Sequence, residues 1–229
     1  MSEVPTIVVD RSQPSLDDDT LKQVDLAWNT LCDSNPRYFN GGMLAFDSFD
    51  PSTNTVHAHT AEYKHHAVRD TVDLGVSLLA VTGVFAAHHN GHTRYMLGKR
   101  SPTTHRYGNQ FEFGPCGGID VPDEPTLALG PDAIISELRR EAMEEAGIKL
   151  TDTKPVPIAI VHDDHVGSVD IVLKVTLDSI PATDANWEYA ECVWLTLDEL
   201  QAQIQDTPNA FIPTAIVIAN ILRERADYD

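Results

Sequence analysis

The chain has 229 residues, 42% of them hydrophobic, enough to bury one sizeable core with a smaller piece attached. Its formal net charge of -19 at pH 7 argues against nucleic acid and anionic membrane as partners, because both are gripped through basic patches. An anionic substrate would meet the same repulsion and would need metal ions to mediate its contact.

Three cysteines, Cys32, Cys116 and Cys192, lie far apart and form no C-x-x-C pair. That usage fits a reducing compartment better than a disulfide framework or a zinc site. The opening M-S-E-V-P-T lacks the basic and apolar regions of a signal peptide. The longest apolar stretch, Leu74 to Ala87, is too short to span a bilayer, so the expected location is cytoplasmic.

Residues 1–20 read as irregular, ending in the acidic run Asp17-Asp18-Asp19, which suits a helix cap. An amphipathic helix follows, with Leu21, Val24, Leu26, Trp28 and Leu31 as its apolar positions. The tract N-P-R-Y-F-N-G-G breaks it. M-L-A-F-D-S-F and T-V-H-A-H-T-A-E-Y then flank the turn-rich D-P-S-T-N, a hairpin pattern. Residues 1–72 are thus expected to form an N-terminal extension, helix plus β-hairpin, packed on a main domain of residues 73–229.

In that main domain V-S-L-L-A-V-T-G-V-F-A-A is a buried strand, H-N-G-H a turn and T-R-Y-M-L-G-K-R the returning strand. Q-F-E-F-G-P alternates and gives way to Cys116-Gly117-Gly118. After a proline-rich loop, Asp132 to Ala146 reads as a helix closed by Gly147. Strands are expected at P-V-P-I-A-I-V, V-D-I-V-L-K-V-T-L and E-C-V-W-L-T-L, with two helices in the remaining tail. Trp28, Trp187 and Trp194 read as core residues. The mixed order of strands and helices predicts an α+β domain with an α/β/α layering.

The helix at 132–146 is the chemically informative element. At about 100° per residue, Glu137, Glu141, Glu144 and Glu145 share one face, beside a stripe of Ile135, Leu138, Ala142 and Ala146. Like charges at i,i+4 destabilise a helix by roughly 0.2–0.5 kcal/mol per pair. Arg140 can relieve Glu144 or Glu137 but not the whole cluster. A hard cation could, since magnesium and manganese prefer carboxylate oxygen. By charge alone such a face is an ordinary solvated surface, so the motif has to decide.

R-E-A-M-E-E-A-G-I resembles the second half of the Nudix box, G-x5-E-x7-R-E-U-x-E-E-x-G-U, where U is apolar. Arg140, Glu141, Ala142, Glu144, Glu145, Gly147 and Ile148 fall on its positions. The first half departs from it. Gly118 and Glu124 satisfy G-x5-E, yet Glu124 stands 16 positions before Arg140, where the family has eight. An insertion within 119–131 accounts for this. It leaves Glu124, Asp132 (at the expected N-cap) and Glu137 as alternative carboxylates supporting Arg140.

The resemblance covers about residues 75–225 and implies the Nudix α/β/α sandwich. It also implies hydrolysis of a diphosphate joining a nucleoside to a second group, X, with Mg²⁺ (or Mn²⁺). By match to the motif, Glu141 and Glu145 are metal ligands, and Glu144 is a third ligand or the base. The carbonyl of Gly118 is placed to complete the shell. Gly117 and Gly118 would let backbone approach ion and phosphate, with Arg140 orienting a carboxylate. N-P-R-Y-F-N-G is similar to a segment of UDP-sugar diphosphatase-type members, which points to a nucleotide sugar such as UDP-glucose.

Lys99, Arg100 and Arg106 are candidate phosphate contacts, each with a surface role as the alternative. The basic stretch of Lys64, His65, His66 and Arg69 is a further candidate, weighed against a solvated strand edge. His162, Asp163, Asp164 and His165 form a polar turn that offers a base or ligand. Glu188 and Glu191 are weaker ligand candidates, and Cys116 lacks a histidine partner for nucleophilic work. A non-catalytic nucleotide sensor is the competing reading, and an isoprenoid diphosphate isomerase lacks its cysteine and glutamate set here. A homodimer is left open.

Overall fold

The computed structural model describes residues 3–12, 15–35, 37–123, 126–151, 153–183 and 188–226. Glu124, Trp187 and the proline of N-P-R-Y-F-N-G lie outside them. The chain runs β1 (Thr6–Asp10), α1 (Asp18–Ser34), β2 (Gly42–Asp50), β3 (Thr55–Glu62), α2 (Tyr63–Ala67), β4 (Leu78–His89) and β5 (His92–Arg100). It continues through β6 (Phe111–Phe113), β7 (Cys116–Gly118), β8 (Ala128–Leu129), α3 (Pro131–Ala146), β9 (Val156–Asp163) and β10 (Ser168–Leu177). Last come β11 (Tyr189–Thr196), α4 (Leu197–Asp206) and α5 (Pro213–Ala226). Among the described residues no helix is long and apolar enough to cross a membrane.

β4 organises the sheet. One edge pairs in parallel with β10 along its length, and β10 pairs antiparallel with β9. The other edge is shared: β7 takes residues 80–82, and β5 takes 86–89 in a hairpin. That hairpin turns at Asn90 (φ 50°) and Gly91 (φ 80°), the left-handed pair that a two-residue turn demands. β11 and β6 pair with β5. Parallel and antiparallel pairings therefore mix, as expected for the α+β class.

Alternation along β4 builds two cores. Leu79, Val81 and Phe85 join Ile171 and Leu173 of β10 against Ile134, Leu138 and Ala142 of α3. Val84, Ala86 and Val172 point the other way, against Leu200, Ile204, Ile218 and Leu222 of α4 and α5. The sheet is thus sandwiched between helices. On the α4/α5 face the row turns polar at Thr82, Ser168 and Asp170, where a cleft opens.

The N-terminal residues add the expected helix and hairpin. Asp17 caps α1, accepting from the N–H groups of Asp19 and Thr20. β2 reaches β4 through Ala45 opposite Leu78, and β3 pairs in parallel with β1. Val4, Ile7, Val9, Leu44 and Val56 enter the same core as α3. Two expectations are corrected. The irregular reading of residues 1–20 missed β1, whose T-I-V-V-D is β-branched and pairs with a strand far along the chain. In α1 the buried positions are Val24 and Ala27, while Leu26 is 71% exposed, because it falls off the i, i+3 stripe.

Leu138 is completely buried between α3 and the sheet. Leu138→Ala should therefore lower the unfolding free energy by about 2–5 kcal/mol, measurable in urea titrations.

Candidate functional site

α3 begins at Pro131, with Gly130 as its N-cap, so Asp132 lies in the first turn instead of capping it. Proline supplies the first-turn φ without losing a needed N–H, which sets the start one residue before Asp132. The other end closes as expected. Gly147 adopts φ 65°, its N–H donating to the Met143 carbonyl at 3.2 Å and that of Ile148 to Ala142 at 2.9 Å. The fully buried stripe is Ile134, Leu138, Ala142 and Ala146, with Ile135 only half-buried.

Beside that stripe Glu137, Glu141 and Glu145 are all more than nine-tenths buried. Glu144 points outward, its side chain 58% exposed. Arg140 divides the set. Its guanidinium donates to Glu137, to Glu141 Oε1 at 2.5 Å and to Glu144 Oε2 at 2.8 Å. Of the two described carboxylates considered as support for Arg140, Asp132 and Glu137, Glu137 makes the contact. Burial pushes the Glu141 carboxyl up to about 7 against the pull of Arg140, with Glu137, Glu144 and Glu188 adding to the rise.

Glu145 lies outside the reach of Arg140. Its Oε2 accepts the Cys116 N–H at 3.0 Å, and it shares a hydrogen bond with Glu188. Burial, then the Glu188 carboxylate, raise its pKa well above the usual range. Glu188 is delivered by Tyr189, the first residue of β11 and 1% exposed. The Tyr189 ring lies against Gly98 and its hydroxyl against Gly114; a Cβ at either glycine would strike it. Gly117 has a similar role, since a Cβ there would collide with the Glu141 carboxylate.

A cleft of about 250 Å³ is lined by Cys116, Gly117, Gly118, Glu145 and Glu188, with Glu141 against Gly117 but outside the lining. Arg100 lines its flank, oriented by Glu112 Oε1 at 2.6 Å and the Arg106 carbonyl at 3.0 Å. Glu112 is buried, which raises its carboxyl despite Arg100. The lining also holds hydrogen-bonded polar groups. Asp170 accepts from Thr82 Oγ1 at 2.7 Å and Ser168 Oγ at 3.2 Å, and Asp163 accepts from the Tyr107 hydroxyl at 2.8 Å.

Several candidates fall elsewhere. Lys99 is not among the residues lining this cleft. Alternation along β5 turns it away from Arg100, to pair with Glu191 at 3.3 Å and lie over the Phe111 ring. Lys64 ties α2 to α1 through Asp25 at 2.9 Å, and His65 is buried. His66 does line the cleft, and burial lowers its pKa to about 4. Arg106 also lines it and pairs with Asp70 at 2.5 Å. From the 162–165 cluster only Asp163 reaches the cleft; His162 packs edge-on against Phe46, and Asp164 and His165 are exposed. Trp28 and Trp194 are half-buried packing residues. Burial raises the Cys116 thiol, the reverse of an activated nucleophile.

Among the described residues no three His, Cys, Asp or Glu side chains stand in a ready metal-holding group. That holds for Glu141, Glu144 and Glu145, with Glu144 drawn outward to Arg140, and equally for Glu141, Glu145 and Glu188. Glu141, Glu145 and Glu188 offer the oxygen donors that a hard cation prefers; burial first, then neighbouring carboxylates, raise Glu141 and Glu145. Glu188 is the residue that sequence reasoning ranked low. Its signal, two glycines spaced to seat Tyr189, is visible only in three dimensions.

No family model and no curated protein matches this sequence. Solved structures do match. DR0079 from Deinococcus radiodurans is 17% identical, with 79% of this chain and 99% of that one covered, at a TM-score of 0.53. A NUDIX hydrolase from Alicyclobacillus acidocaldarius is 13% identical, with 63% and 90% covered, at 0.50. At such identity the likeness concerns backbone architecture alone, and by that architecture the chain has the Nudix fold.

Proposed function

We propose that this protein is a hydrolase, dependent on Mg²⁺ or Mn²⁺, of the diphosphate bond in a nucleoside diphosphate linked to X. The observation that carries the reading is the pairing of buried Glu145 with Glu188, beside Gly117 and Arg100 in an open cleft, with Glu141 packed against Gly117. Glu141 and Glu145 would hold the ion, with Gly117 clearing the space that brings Glu141 to the backbone of β7. The ion, when bound, supplies the positive field that an acidic protein lacks and lowers the pKa of an attacking water.

Glu188 would take the proton of that water, in preference to Glu144, which faces solvent. Arg100 would meet the charge gathering on the phosphate oxygens, held in position by buried Glu112. Arg140 keeps Glu141 oriented and acts through it. For X, a nucleotide sugar such as UDP-glucose is the finer reading. Asp163, Asp170, Ser168, Thr82 and Tyr107 give the cleft groups suited to hydroxyls, with Arg100 and Arg106 in the same lining.

Incubation with Mg²⁺ or Mn²⁺ and a panel of nucleotide sugars, dinucleotides, coenzyme A and nucleoside triphosphates should release a nucleoside monophosphate and X-phosphate from at least one nucleotide sugar. A chelator should stop the release. Binding without turnover of any panel member would favour a sensor instead. Glu145→Gln should lower kcat by about a hundredfold or more, and Glu188→Gln likewise. Glu144→Gln should cost clearly less than either, with circular dichroism unchanged in all three. If Glu144→Gln proves the most damaging, the assignment of Glu188 is wrong.

A further inference from the structure

A second cavity, about 360 Å³, lies against the first and shares Tyr63, Arg100, His105 and Glu188 with it. Its outer wall is the loop between α1 and β2, carrying Arg37, Tyr38 and Phe39. This loop is fastened on both sides of Phe39. The Tyr38 hydroxyl bonds His105, and its ring packs on Trp28 at 6.0 Å. Asn40 donates to Glu62 at 2.7 Å and accepts the Lys64 N–H at 3.0 Å, while the Tyr63 N–H donates to the Gly41 carbonyl at 2.8 Å.

Between these anchors Phe39 is 80% exposed. One edge of its ring rests over Gly41, where an added Cβ would stand 3.2 Å away. A lone exposed phenylalanine is ordinary on a protein surface. This one is held on an anchored loop, backed by glycine, and borders a groove continuous with the cleft. At the junction Arg100 is the shared cation.

We propose that Phe39 is a stacking platform for a planar heteroaromatic ring, the base of a nucleotide whose phosphates lie toward Arg100. Ring faces stack on aromatic side chains whichever base they belong to, so the platform demands a base without choosing which one. The groove would take the base and the adjoining cleft the diphosphate and X. The assignment rests on the proposed hydrolase only for what lies beyond the phosphate.

The test is a calorimetric titration of the full chain with uridine 5′-monophosphate, adenosine 5′-monophosphate and, as a ring-free probe, ribose 5-phosphate. The two nucleotides should bind more tightly than ribose 5-phosphate. Phe39→Ala should weaken nucleotide binding by about tenfold or more, Phe39→Trp should preserve it, and ribose 5-phosphate should be unaffected by either. Equal binding of all three probes, no binding of either nucleotide, or unchanged nucleotide affinity in Phe39→Ala would each overturn the platform. Because nothing is hydrolysed in this measurement, loss of the diphosphatase reading would show in the turnover assay and leave this result standing.

Discussion

One guanidinium among too many carboxylates governs this molecule. Arg140 can satisfy Glu137, Glu141 and Glu144 at once, and it reaches no further along α3. Glu145, one residue on, is left with a backbone N–H and a second carboxylate for company. Charge of that kind is costly to bury unless something of opposite sign arrives. The helix is therefore folded around an imbalance, and the imbalance points into the cleft.

The sheet makes this arrangement tolerable. Apolar rows on the two faces of β4 and β10 bind α3 on one side and α4 with α5 on the other. Core burial on this scale offsets repulsion among a few carboxylates. The polar end of the same rows, at Thr82, Ser168 and Asp170, remains outside the helix cover and becomes cleft wall. Stability and site are thus laid out along the same strands, a few residues apart.

Much of this was legible in the sequence. The periodicity of α3, its closing glycine and the Glu pattern fixed where the acidic face lies, because those are local properties of one helix. The mixed α+β layering followed from the order of elements. What escaped reading depended on distant partners. β1 is a strand because β3 runs beside it, and Lys99 leaves the cleft because the alternation of β5 gives that face to Arg100. Glu144 and Glu145 are neighbours in sequence with opposite fates, decided by which side of Arg140 each occupies. Glu188 gained its place from a tyrosine wedge that no spacing rule describes.

That wedge has a wider effect. The Tyr189 side chain bears on Gly98, two residues from Arg100, and on Gly114, just before β7, while its own backbone carries Glu188. Three stretches of chain that bring a cation, a close-approach backbone and an acid to the same opening are thereby indexed against a single side chain. The alignment of these groups is in this sense a packing problem. How far the arrangement tolerates sequence drift is decided at two glycines and a tyrosine as much as at the charged residues themselves.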